Sequence, residues 1–123
     1  MSNYKYYNVN PDRLHVSDCV CRAISSATGL CYEAVNNLLD LISNEYSCDK
    51  LCECCYNYLL EHTLCYHKFN CNFSNTVEEI AERYPKNKLI LRIDRHLTSS
   101  IFGTVLDIWD CSKEYVDCYW IVQ

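Results

Sequence analysis

Glycine and proline are scarce in this 123-residue chain, with two of each. So few chain breakers exclude a long flexible linker and any low-complexity region, and the length is that of one domain. Basic charge is also short. Eleven Lys and Arg stand against sixteen Asp and Glu, for a net charge of −5. The basic residues are scattered, whereas a binder of phosphate backbones needs them clustered, so no direct contact with nucleic acid is expected. No apolar run reaches the roughly 18 residues of a membrane-spanning helix, so no membrane association is expected. The opening Met1-Ser2-Asn3-Tyr4-Lys5-Tyr6-Tyr7 holds no apolar signal core, which predicts a cytoplasmic protein.

Cysteine and tyrosine are abundant, eleven of each, and the hydrophobic share is 50%. That share suffices for a core without staples. In a cytoplasmic setting the cysteines are expected as thiols rather than disulfides. The surplus of Tyr, Asn, Ile and Lys beside little Gly also fits an AT-rich coding genome, which raises Cys and Tyr without a functional cause.

Tyr4, Tyr6 and Tyr7 alternate with less apolar residues and suit an edge strand or the lining of a groove. Asn10-Pro11-Asp12 reads as a turn. A first helix is predicted from Asp18 to Thr28, capped by Asp18 and closed by Gly29, with Arg22 four residues on to pair with Asp18. A second runs from Cys31 to Tyr46, with Val35, Leu38, Leu39, Ile42 and Tyr46 as its core stripe. A third covers Asp49 to Glu61, with Leu51, Cys55, Tyr58 and His62 on one side. Cys65 to Cys71 suits a short strand. Ser74 or Asn75 then caps a fourth helix, Thr76 to Tyr84, with Val77, Ile80, Ala81 and Tyr84 inward. Strands follow at Lys88–Ile93, His96–Ile101, Val105–Asp110 and Asp117–Val122, the middle two as a hairpin around Phe102-Gly103-Thr104. Helices first and antiparallel strands last make an α+β pattern.

Cys19 falls at the start of the first helix. The partial positive charge and free amides there favour thiolate over thiol, and the thiolate is the attacking species. His96 opens a late strand. With the hairpin turn near 101–103, Asp107 comes to lie near His96 on the same sheet face, placed to fix its tautomer. Asp110 is the weaker candidate for that role. The Cys19 amide is one oxyanion donor. A second would come from residues 10–17, where Asn10, Arg13 and His15 remain open. Cys21 faces away and suits the core.

These pieces carry a resemblance. Asn8-Val9-Asn10-Pro11, Asp18-Cys19-Val20-Cys21-Arg22-Ala23-Ile24-Ser25, Thr76-Val77-Glu78-Glu79-Ile80-Ala81, His96-Leu97-Thr98 and Asp107-Ile108-Trp109-Asp110-Cys111-Ser112, ending near Tyr119-Trp120, span nearly the whole chain. It resembles small bacteriophage and prophage proteins with a papain-like cysteine-peptidase pattern. The resemblance implies a papain-like fold, N-terminal helices bearing the nucleophile packed on a C-terminal antiparallel sheet. It also implies a Cys19–His96–Asp107 triad acting on an amide, peptide or isopeptide bond. No metal or organic cofactor is then required, and the partner is a protein or peptide substrate in the host cytoplasm. A Gly often precedes the histidine of that pattern. Arg95 stands there instead, and its bulk and charge are expected to narrow or cover the site.

A second function fits the small size, the acidity and the phage-like kinship. This is an inhibitor of a bacterial defence system, such as an anti-CRISPR, binding a host defence protein through an acidic surface. A third reading starts from Cys48, Cys52, Cys54 and Cys55. Their C-x3-C-x-C-C spacing lacks the paired C-x2-C of a zinc knuckle. On a helix, Cys48, Cys52 and Cys55 would share a face that Cys65, His62 or His67 could complete as a metal site. Packing as small apolar side chains between helices is the expectation preferred here. His15, His62 and His67 receive no role of their own.

Overall fold

The computed structural model describes residues 4–10 and 18–122. The Asn10-Pro11-Asp12 turn and the oxyanion candidates Arg13 and His15 lie wholly or partly outside them. In chain order the elements are β1 (Tyr4–Tyr6), α1 (Cys19–Thr28), α2 (Tyr32–Tyr46), α3 (Glu53–Tyr58), β2 (His67–Thr76), α4 (Val77–Arg83), β3 (Lys88–Ile93), β4 (His96–Ile101), β5 (Thr104–Asp107) and β6 (Tyr115–Val122). The fold is α+β. The six strands form one sheet in the order β1-β5-β4-β3-β6-β2.

The sheet is mixed, which corrects the expectation of a C-terminal antiparallel one. β1 runs parallel to β5, pairing Tyr4 with Val105 and Tyr6 with Asp107, and every other pairing is antiparallel. β2, from the middle of the chain, occupies the far edge. Side chains alternate across a strand, so β3 and β6 feed two cores. Ile90, Cys118 and Trp120 pack with α1, α2 and α3 on one face. Leu89, Leu91, Ile93, Val116 and Tyr119 pack with Val77, Ile80 and Ala81 of α4 on the other. Burial on both faces explains the consecutive apolar residues Leu89, Ile90 and Leu91 of β3.

Helix α1 buries Val20, Ala23, Ile24 and Ala27, at i, i+3, i+4 and i+7. Gly29 closes it at φ 80, a left-handed conformation that glycine adopts without a Cβ penalty. Along α2, Val35, Leu39 and Ile42 are buried, but Tyr46 is 51% exposed and its ring lies tilted against that of Tyr58 instead. Helix α3 begins four residues later than expected, because 48–52 form a turn. Past Tyr58 it widens into a π-helical turn at Leu59–Thr63, with the Leu64 amide reaching the Leu59 carbonyl. Helix α4 is capped by Thr76 rather than Ser74 or Asn75. Thr76 accepts from the Glu79 amide while the Glu79 carboxylate accepts from the Thr76 amide, a complete capping box. Among the described residues, no helix is long and apolar enough to cross a membrane.

Candidate active site

Cys19 is the first residue of α1, His96 the first of β4 and Asp107 the last of β5. The fold brings all three together. His96 Nε2 lies 2.6 Å from Asp107 Oδ2, and the same imidazole lies close enough to the Cys19 thiol to lower its pKa. With Nε2 taken by the carboxylate, Nδ1 is the nitrogen left to the thiol. The Leu97 backbone also favours the Cys19 thiolate.

The hairpin register refines the expected pairing. Ser99 pairs with Leu106, Ser100 with Val105 and Ile101 with Thr104. Continued, this register sets Thr98 across from Asp107 and leaves His96 level with Trp109. The His96–Asp107 contact is therefore diagonal across the hairpin, on the shared face. Trp109 continues the chain beyond β5. Its ring lies against the imidazole, with centroids 5.2 Å apart and planes 53° apart. The sequence signal for this was its position two residues beyond Asp107, on the same side of the strand.

Asp107 is 4% exposed, and each part of it is held. The Ile108 amide donates to Oδ1 at 2.7 Å. The Cys111 thiol, itself fully buried, lies 3.7 Å from Oδ2 and 3.4 Å from Thr98 Oγ1. The carbonyl of Asp107 accepts from the Tyr4 hydroxyl at 3.0 Å and from the Tyr7 amide at 2.9 Å. Strand β1 thus fixes the residue that orients His96.

Asp18 does not cap α1, and no side chain does. Its carboxylate is drawn off by three stronger partners. These are the Arg22 guanidinium, the Tyr32 hydroxyl at 2.7 Å and the Asn10 side-chain amide at 2.9 Å. Two consequences follow. The first-turn amides of α1, including that of Cys19, are not spent on Asp18. Asn10, buried and committed to Asp18, is not positioned as the second oxyanion donor. Arg22 then reaches on toward Asp107, Nη2 to Oδ1 at 3.8 Å. The charges alternate in sign from Asp18 through Arg22, Asp107 and His96 to Cys19.

That alternation governs the acidities. Burial disfavours the Cys19 thiolate, but the hydrogen bonds from His96 and Leu97 and the imidazolium charge outweigh it and hold the thiol below its ordinary value. Burial also disfavours the His96 imidazolium. Its hydrogen bonds to Asp107, Cys111 and Cys19 prevail, and its pKa is pushed up to about 11. Asp107, opposed by burial, is held below the usual carboxylate value by His96, Thr98 and the Ile108 amide. The shifts of Cys19 and His96 both favour the thiolate–imidazolium pair over the neutral one.

Cys19 and His96 open on a cleft of about 550 Å³, whose walls include Leu51, Glu53, Tyr56, Arg92 and Arg95. Arg92 bonds Asp117 at 2.6 Å and Glu53 at 3.0 Å, tying α3 to the sheet across the cleft floor. Arg95 lies on the rim at φ 56, in the left-handed region that favours glycine.

Two groups among the described residues cluster as metal ligands would: His96 with Asp107 and Cys111, and Cys48 with Cys52 and Cys54. In the first, a metal would take the Nε2–Asp107 contact away from the triad. The face set Cys48, Cys52 and Cys55 does not form, because Cys48 and Cys52 precede α3 and helical spacing does not apply to them. His62 stacks on Tyr58, His67 meets Phe69 edge-on, and the Cys65 thiol is bonded to the His62 carbonyl.

A scan of protein-family models, a search of curated proteins and a search of solved structures each returned no match to this chain.

Proposed function

We propose that the chain is a papain-like thiol hydrolase or transferase acting on an amide, peptide or isopeptide bond through Cys19, His96 and Asp107. One observation carries this reading: a helix-start thiol shares a cleft with an imidazole whose Nε2 lies 2.6 Å from a buried carboxylate. Nucleophile, base and orienting group stand in the order that acyl transfer needs.

In this mechanism the Cys19 thiolate attacks the substrate carbonyl and a carbon–sulfur bond forms. The Cys19 amide donates to the oxyanion. The imidazolium of His96 gives its Nδ1 proton to the leaving amine as the carbon–nitrogen bond breaks. Water or an acceptor amine, deprotonated by His96, then attacks the thioester, and the thiolate leaves. Asp107 accepts from Nε2 throughout, holding the ring in one orientation and stabilising its positive charge. The cleft is partly apolar, through Leu51, Tyr56, Ile93 and Leu97, with Glu53, Arg92 and Arg95 at its polar side. Such a lining suits a peptide segment better than a nucleotide.

The test is alkylation by limiting iodoacetamide across pH, with each modified thiol located by mass spectrometry. Cys19 should react at lower pH than the remaining ten cysteines, and His96→Ala should remove that advantage. Equal reactivity of Cys19 and its neighbours would end the hydrolase reading.

A further inference from the structure

Cys48, Cys52 and Cys54 bring their sulfurs within 4.8 Å of one another. Cys48 and Cys52 come from the short connection between α2 and α3, and Cys54 from the first turn of α3. Ser47, at φ 53, reverses the chain at the end of α2, and the Cys48 amide bonds back to the Ser43 carbonyl. The Cys52 amide then bonds to the Asp49 carbonyl, closing a second turn that returns Cys52 beside Cys48. Cys54 follows in the first turn of α3, its sulfur 2.6 Å from that of Cys52.

Core packing accounts fully for the fourth member of the cluster and in part for Cys48 and Cys52, which pack against the core, but not for Cys54. Cys55 is fully buried and its thiol donates to the Leu39 carbonyl at 3.5 Å. Cys48 and Cys52 are only half-buried and Cys54 is exposed. A thiol used as a small apolar filler gains nothing at an exposed position. Three thiols converging at the surface do match the donor set of a soft d10 cation, with solvent access for its entry.

We infer that Cys48, Cys52 and Cys54 form a three-thiolate site for a thiophilic metal ion such as Zn²⁺. Each thiol releases its proton to solvent as it ligates. Tetrahedral zinc at its usual bond length sets sulfurs about 3.8 Å apart, so the Cys52–Cys54 pair opens by about 1 Å. A rotation of the exposed Cys54 side chain supplies that change. Three protein ligands leave the fourth position open. Cys52 and Cys54 also line the cleft that holds Cys19 and His96, so the ion would stiffen its wall. The site stands whether or not Cys19 is a nucleophile.

The experiment uses the full chain carrying Cys19→Ser, reduced and handled without oxygen, with one equivalent of Zn²⁺. Native mass spectrometry gives stoichiometry, and competition with a chromophoric chelator gives affinity. One zinc per chain is expected. Cys52→Ser and Cys54→Ser should each weaken binding at least about 10-fold, since loss of a ligand costs no less than loss of an outer-shell partner. Cys31→Ser and Cys65→Ser, which remove exposed thiols elsewhere, should leave it unchanged. Cd²⁺ substitution into the chain with Cys48, Cys52 and Cys54 intact provides a readout that needs no further variant, with sulfur-to-metal charge-transfer absorption expected for three thiolates. Equal loss in all four variants, fewer than three thiolates on Cd²⁺, or a Cys52–Cys54 disulfide that persists under reductant would each overturn the site.

Discussion

The Arg22 guanidinium lies between two buried carboxylates, paired with Asp18 through Nη1 and 3.8 Å from Asp107 Oδ1 through Nη2. One cation thus joins the base of α1 to the carboxylate that contacts His96. Arg22 itself is 6% exposed. Replacing it by Met would leave both carboxylates buried without their shared counter-ion. The expected cost is about 3–5 kcal/mol, the range for breaking a buried pair from one side. Denaturant midpoints measure it, and Arg22→Lys should recover only part of the loss, since Lys lacks the planar fork.

Asp107→Asn keeps the shape of the side chain and removes its charge. The His96 pKa should fall from about 11, and the Cys19 thiol should lose the imidazolium that holds it down. Each unit by which the thiol rises costs about tenfold in thiolate at a pH below it. A drop of at least about tenfold in the alkylation rate of Cys19 at pH 7 is expected, with little change at the other thiols. A two-dimensional NMR titration of the His96 ring reads the imidazole side of the same change.

The His96–Asp107 pair makes stability depend on pH with a definite sign. His96 has a folded pKa raised from 6.5 to about 11. Its contribution is fully present below 6.5 and is lost as pH rises toward about 11. Asp107 is lowered from 3.8, so its contribution is complete above 3.8 and disappears as pH falls through the lower folded value. The stability difference between the native chain and His96→Gln should therefore be largest between 3.8 and 6.5 and shrink steadily in the alkaline range. A difference that grew with pH would contradict the charge pairing described above.

Thr76→Ala removes one half of the capping box of α4, on the sheet face opposite α1. The loss should be about 1 kcal/mol of stability. Because α4 touches neither Cys19 nor His96, the pH profile of Cys19 alkylation should not move. This variant separates general destabilisation from damage to the site.

Arg95→Gly relieves a left-handed residue at the β3–β4 turn. The relief of about 1–2 kcal/mol is partly offset by the freedom glycine adds to the unfolded chain. A net gain below about 1 kcal/mol is expected in thermal unfolding. The same change clears the cleft rim beside His96, so a bulky thiol reagent should reach Cys19 faster while iodoacetamide gains little.

Much of this arrangement was legible from local signals. The apolar spacing of α1, the glycine that ends it and the consecutive apolar residues of β3 each follow from periodicity and backbone preference. Those signals placed Cys19 at a helix start and set His96 and Asp107 on neighbouring strands. They failed where partners far along the chain compete. Asp18 has the side chain of a helix cap, yet Arg22, Tyr32 and Asn10 claim its carboxylate. The expected start of α3 gave way to a turn that holds Cys48 and Cys52. The N-terminal strand pairs in parallel with β5, a contact across about a hundred residues that no local pattern encodes.

Composition and periodicity were enough to establish an α+β chain with a thiol at a helix N-terminus, because those properties depend on neighbours a few residues apart. The protonation states of Cys19, His96 and Asp107, the diagonal contact across the hairpin, the Arg22 bridge and the gathering of Cys48, Cys52 and Cys54 depend on burial and on distances of a few ångströms between residues remote in sequence. Electrostatic interaction and metal ligation act at that range, so only the tertiary structure decides them.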